Sequence, residues 1–237
     1  MTQPSVYTRR ARFAMFWFAA SLLILTLGAS RASADTYNLT SCHLSGGCGT
    51  ATQFGTVTLT NNGTGGVNFT VALNSGNQFV ETGSGGGGLF VFNDSLSGSA
   101  VTSVTLSGGT GNTPPGGLQG STGLTPFMAD GTGTFTAIVE CSTASDCNGN
   151  SGNLANTLTF TVTNATVAQL ETPNAAGNIF VADILLGQTG GTGLTGPVDA
   201  SPSSLVPEPT SMLLFGTGLV VLGAKFRRKK SNDLVAA

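Results

Sequence analysis

From Val67 to Leu73, and again from Leu158 to Val162, every second residue is apolar and the residues between are Asn, Thr or Ala. Alternation at period two places the apolar set on one face of an extended chain and the hydroxyls on the other, which is the pattern of a half-buried β-strand. Further runs with strand character are Phe54 to Thr60, Leu89 to Asn93, Ala100 to Ser107, Gly133 to Cys141 and Asn178 to Leu186. Turn formers separate them: Asn61-Asn62-Gly63, Ser84 to Gly88, Thr113 to Gly117 and Asn148 to Gly152. No amphipathic helix interrupts the series, and Val167 to Glu171 reads as a turn at most. About eight short strands with polar turns predict an all-β domain, an antiparallel β-sandwich or jelly-roll-like fold over residues 35–186. The nine phenylalanines from Phe54 to Phe180 fall mostly on the apolar phase and are the expected core.

Charge narrows the function. Charged residues make up 8% of the 237, and no Lys or Arg occurs between Asp35 and Leu205. That span holds nine acids, Asp35, Glu81, Asp94, Asp130, Glu140, Asp146, Glu171, Asp183 and Asp199. A body without cations cannot neutralise phosphates, which excludes nucleic acid as its partner.

The cations sit at the two ends. Three arginines precede an apolar run from Phe13 to Leu27, and Ala32-Ser33-Ala34 follows with small residues at −3 and −1. This is the architecture of a secretory signal peptide over residues 1–34, cut by signal peptidase so that Asp35 becomes the first residue. At the other end Thr210 to Phe226 is apolar enough for a membrane helix of roughly 25 Å. Lys225, Arg227, Arg228, Lys229 and Lys230 then form a basic stop-transfer cluster. The positive-inside rule keeps that cluster and the tail 231–237 cytoplasmic and puts the acidic body outside. Residues 187–205, rich in Gly, Pro and Ser, read as a linker holding the domain off the membrane.

Pro207-Glu208-Pro209 stands directly before the apolar segment. Pro-Glu-Pro, a short helix and a basic tail, over residues 206–230, resemble the tripartite sorting signal called PEP-CTERM. The two prolines hold the motif extended, in the form that a protease cleft can grip. The resemblance implies a bacterial protein with an exopolysaccharide-associated sorting system. In it a membrane protease, exosortase, releases the body from a transient inner-membrane anchor to the cell surface or matrix. The same segment is also labelled as the C-terminal region of ice-binding proteins, a label that describes the tail and not the body.

Four cysteines, Cys42, Cys48, Cys141 and Cys147, form two closely spaced pairs. In an exported chain they are expected as disulfides, with two local bridges preferred and the cross-pairings left open. A zinc site at Cys42, His43 and Cys48 would need an unusual spacing, so no metal and no cofactor is expected. His43 is the only histidine. A serine triad would have to use it, yet there is no nucleophile elbow. Glu81 with Asp94, or Glu140 with Asp146, are the carboxylate pairs a glycosidase could use, but the body has no Trp and one Tyr for a sugar platform. Asp146, Asn148 and Asn150 have the first spacings of a calcium loop, with the glycine one residue late and no closing glutamate. Gly85 to Gly88 lacks the Lys and helix of a phosphate loop. Sequons at Asn38, Asn62, Asn68, Asn93 and Asn164 follow from the Asn- and Thr-rich composition and carry no expectation. The Thr157, Thr159, Thr161, Thr163 rank, echoed at Thr56, Thr58, Thr60 and at Thr134, Thr136, is either the wet face of a sheet or a surface that adsorbs ice or polysaccharide. The expected function is thus an exported, processed surface or extracellular-matrix protein of biofilm type without catalysis. The alternatives are an extracellular polysaccharide- or ice-binding module and a secreted glycan hydrolase.

Overall fold

Alternation along the chain becomes two antiparallel sheets. The computed structural model describes residues 34–82, 88–109, 111, 113–148, 154–202 and 205–206. The expected leader up to Ser33, the Pro207-Glu208-Pro209 motif, the membrane helix 210–226, the basic cluster and the tail 231–237 lie outside the described residues, as do Gly85 to Gly87 and Asn150. Among the described residues no helix is long and apolar enough to cross a membrane.

The strands are β1 (Ala34–Leu39), β2 (Ser41–Cys42), β3 (Gly55–Asn61), β4 (Gly66–Leu73), β5 (Gln78–Phe79), β6 (Phe90–Phe92), β7 (Ala100–Ser107), β8 (Leu118–Ser121), β9 (Phe127–Ala129), β10 (Gly133–Phe135), β11 (Ala137–Cys141), β12 (Thr157–Thr163), β13 (Phe180–Leu185), β14 (Thr195–Ala200) and β15 (Leu205–Val206). A 3-10 turn spans Ala144–Asp146, and one helical turn, α1, spans Val167–Leu170. Sheet A runs β15-β1-β3-β4-β12-β7, and sheet B runs β2-β14-β13-β6-β11-β8 with β5 also on β13. β9 and β10 form a separate hairpin. The β3–β4 turn is held by Asn62, whose Oδ1 accepts from the amides of Thr64 (2.8 Å) and Gly66 (3.0 Å).

The sheets meet through phenylalanine. Phe69 of β4 stacks on Phe160 of β12 at 4.5 Å and meets Phe92 of β6 at 5.3 Å and Phe180 of β13 at 5.9 Å. Tyr37 of β1 reaches Phe180 edge-on at 5.2 Å. Every one of these rings is 2% exposed or less. Such ring pairs add to the burial that holds a fold without internal cations together. Sheet B is covered on its other side too, where Val91, Ile138 and Val181 pack with Ala129 and Phe135 of the β9–β10 hairpin.

Several expectations need correction. Gly133 to Cys141 is not one strand but two that break at Thr136. The Thr136 hydroxyl donates to the Asp94 carbonyl (3.0 Å) and accepts from the Asp94 amide (2.9 Å), so the chain leaves the hairpin and enters sheet B. The linker expected at 187–205 is largely part of the domain: β14 pairs residue for residue with β13, and Gly196 to Ala200 are all buried. Its sequence, Thr-Gly-Pro-Val-Asp-Ala, carries the punctuation of a loop. Pro197 is tolerated because its carbonyl accepts the His43 amide at 3.0 Å. Its missing N–H therefore falls on the side of the two-residue β2 and not on the long β13 ladder. β7 contains a bulge between the pairs Thr159–Thr105 and Thr161–Thr102, with Ser103 at φ 54.

The structure bonds Cys42 to Cys48 and Cys141 to Cys147, with Cα separations of 6.5 and 6.3 Å. The second bridge is buried, with Cys141 at 4% and Cys147 at 0% exposure, whereas Cys42 and Cys48 are half-buried. A thiolate reductant attacks an accessible sulfur first. Mild dithiothreitol followed by alkylation and mass mapping is therefore expected to label Cys42 and Cys48 before Cys141 and Cys147. Simultaneous labelling of all four would contradict the difference in burial.

Candidate functional site

The outward face of sheet A is a threonine lattice. Strand pairing places Thr36, Thr58, Thr70, Thr159 and Thr105 side by side across five strands. On one flank lies the row Ala34, Thr60, Asn68, Thr161, Thr102, and on the other Asn38, Thr56, Ala72, Thr157, Ser107. The residues between them on the same strands, such as Tyr37, Val57, Phe69 and Phe160, point into the core. Neighbours are thus about 4.8 Å apart across the strands and about 6.8 Å along them. None of the fifteen positions carries a charge. Hydroxyls meet across strands, Thr36 to Thr58 at 3.1 Å and Thr105 to Thr159 at 2.6 Å, and the Thr161 hydroxyl donates to Asn68 Oδ1 at 2.9 Å. β12 shows this rank in its sequence, but its alignment with the threonines of β1, β3, β4 and β7 is a matter of register. The bulge at Ser103 contributes to it, since Thr102 and Thr105, an odd number of residues apart, both reach the outer surface.

The candidate catalytic residues assemble differently from their sequence pairing. His43 is an exposed loop residue, and its Nε2 lies 2.6 Å from Asp199 Oδ2, where Asp199 itself is 2% exposed. Ser41 Oγ is 3.3 Å from the same Nε2. A hydrolase relay needs the acid on one ring nitrogen and the nucleophile on the other. Both partners here crowd one nitrogen, so the cluster is a hydrogen-bonded cap over the buried Asp199 carboxylate and not a charge relay. Burial pushes the Asp199 carboxyl above the usual carboxylate range, against the His43 and Ser41 contacts that lower it. Asp199 lay in the expected linker, and nothing in the local sequence marks it as a partner of a histidine 156 residues away.

Glu81 is not brought together with Asp94. It is 7% exposed, accepts the Cys141 amide, and is pushed up to about 7, chiefly by burial, with Glu140 and Asp183 adding to the rise. Asp183 is fully buried and accepts from the Thr82 amide at 2.5 Å. Asp94 is 1% exposed and accepts the Leu96 amide at 2.9 Å. Glu140 and Asp146 are likewise engaged apart, Glu140 with the Gln119 side-chain amide at 2.9 Å and Asp146 with the Gly116 amide at 3.0 Å. These carboxylates serve backbone and amide donors. Glu81, Cys141 and Cys147 lie within ligand distance of one another, but a disulfide offers no thiolate, and the same holds for Cys42 and Cys48 beside His43. A groove of about 270 Å³ lined by Asn93, Pro126, Thr134, Gln169 and Asn174 among others has no acid, histidine or cysteine in its walls.

At the C-terminal end of the described chain, β15 pairs with β1 as Leu205–Tyr37 and Val206–Thr36. The domain therefore extends to the residue before Pro207. Residues 205–229 match a family model described as a PEP-CTERM protein-sorting motif. No curated protein and no solved structure matches the chain.

Proposed function

From a chain that carries a PEP-CTERM protein-sorting motif, and is thereby marked for exosortase and for export to the surface or beyond, we propose an exported, non-catalytic surface or extracellular-matrix protein. The sorting motif carries this reading. Its support in the rest of the chain is physical: two disulfides suit an oxidising compartment, and the candidate acids are occupied by structural hydrogen bonds. Signal peptidase removes residues 1–34, and exosortase acts at Pro207-Glu208-Pro209 while the apolar segment 210–226 holds the chain in the membrane. With β14 and β15 in the sheets, the protease must reach a motif directly adjoining the folded domain.

Intact-mass analysis of the protein recovered outside the cell tests this. The expected species begins at Asp35 and ends near Pro207 to Pro209. Alanine at Pro207, Glu208 and Pro209 together is expected to leave the chain in the membrane fraction. Full-length chain in the medium, or unchanged release of the triple variant, would overturn the proposal.

The threonine lattice favours a second role for the same protein, adsorption to a neutral extracellular polysaccharide through sheet A. Adjacent strands of a sheet rotate by about 20–25°, so five strands do not present one plane. A flexible polymer can follow such a surface and a crystal face of ice cannot. Binding of the recovered protein to its own matrix polymer, lost in Thr70→Lys/Thr159→Lys without a fall in Tm, is the expected result. Thermal hysteresis would point to ice instead, and no binding to any neutral polymer would end this reading.

A further inference from the structure

The end of β6, strand β10 and the loop after α1 come together around one groove, and none of its walls belongs to sheet A. Those walls are fixed by their own hydrogen bonds. Asn93 Nδ2 donates to the Thr172 carbonyl at 3.1 Å and Asn174 Nδ2 to the Thr132 carbonyl at 2.9 Å. Asn174 Oδ1 accepts from the amides of Ala176 (2.9 Å) and Asn178 (3.0 Å). Gln169 Oε1 accepts from the Thr166 amide and hydroxyl, both at 2.9 Å, and so closes the capping box of α1. A groove already held in shape loses little freedom when a ligand enters it.

What these bonds leave over suits one kind of ligand. Gln169 keeps both Nε2 hydrogens, Asn93 keeps its Oδ1, and the hydroxyls of Ser95 and Thr134 have no partner among the described residues. The groove thus offers two amide donors, an amide acceptor and two hydroxyls that serve as either. Pro126 and Pro173 add apolar surface to the same walls. No charged side chain lines them, so a carboxylate, phosphate or ammonium that entered would lose water and gain no counter-charge. A sugar hydroxyl both donates and accepts, and the C–H face of a pyranose is apolar. The groove's volume of about 270 Å³ lies just below the roughly 300–1,000 Å³ that encloses drug-sized ligands, which fits one ring and not a run of them.

We propose that this groove binds a single neutral pyranose ring at the end or branch of a glycan. Gln169 Nε2 and Asn93 Oδ1 take its hydroxyls, Ser95 and Thr134 bridge to their neighbours, and the two prolines meet its C–H face. The inference goes beyond adsorption through sheet A, because the threonine lattice shares no residue with the groove.

NMR titration of the 15N-labelled processed protein with neutral methyl pyranosides of the gluco, galacto and manno series tests it, with glucuronate and glucosamine as charged controls. The expected result is a saturable shift of the Gln169 side-chain amide with at least one neutral glycoside, at a dissociation constant on the order of 1–10 mM, and no saturable shift with either charged sugar. Gln169→Glu keeps the acceptor that caps α1 and removes both donors. It is expected to weaken binding by about tenfold or more without a fall in Tm. Thr134→Val keeps a β-former and removes one hydroxyl, and it is expected to weaken binding severalfold, again at unchanged Tm. Thr70→Lys/Thr159→Lys is expected to leave glycoside binding as it is, so failure of the lattice and failure of the groove are distinguishable. No saturable shift with any neutral glycoside, equal binding of the charged sugars, wild-type affinity in Gln169→Glu, or loss of binding in the lattice variant would overturn the proposal.

Discussion

Phe69→Ala is expected to remove about 3–5 kcal/mol of unfolding free energy, a large share of the roughly 5–15 kcal/mol that a folded domain has. Phe69 stands between the sheets in contact with Phe90, Phe92, Phe160 and Phe180. Its loss leaves a hole that four rigid rings from both sheets cannot collapse to fill. Equilibrium urea unfolding measures the effect. Phe127→Ala is the comparison, because Phe127 is only partly buried at the margin of the smaller outer cluster, and its cost should be well under half. Equal losses would mean that the ring layer does not hold the sheets together.

Lowering the pH from 8 to 5 is expected to stabilise the domain. Glu81 sits at about 7 in the folded protein against 4.5 for the ordinary side chain. A group whose folded pKa is raised contributes fully below its unfolded value and loses that contribution as pH climbs through the folded one. Here the loss runs from about pH 4.5 to about 7 and is complete above it. The size is on the order of 3 kcal/mol for Glu81, and the raised Asp199 acts in the same direction. Glu171, pushed up to about 7 chiefly by burial, acts in the same direction. Melting curves at pH 5 and pH 8 are the measurement. Glu81→Gln keeps an acceptor for the Cys141 amide and should melt above wild type at pH 8 and level with it near pH 4.5. A wild-type Tm that rises with pH across this interval would contradict the burial argument.

How far these features were legible from sequence depends on whether a strand has one dry face or two. β3, β4 and β12 have one, so their period-two pattern locates them. β14 is buried on both sides with Gly, Pro and Asp in its composition, and it reads as a linker because its environment is supplied by β13 and β2. The same distinction separates the candidate sites. The sorting motif lies within 25 contiguous residues and needs no fold to be seen. The His43–Asp199 pair and the grouping of Glu81 with Asp183 join positions 156 and 102 residues apart, which only strand pairing brings together.

By itself, then, the amino-acid order determined an all-β chain with an acidic, cation-free body and a C-terminal sorting address, because periodicity, charge and short motifs are local properties. The tertiary structure decided which threonines form one surface, which acids are buried, and that Asp199 lies beside His43. Those depend on register and on the facing of distant strands, and a shift of one residue in register would have turned every one of those side chains to the opposite face.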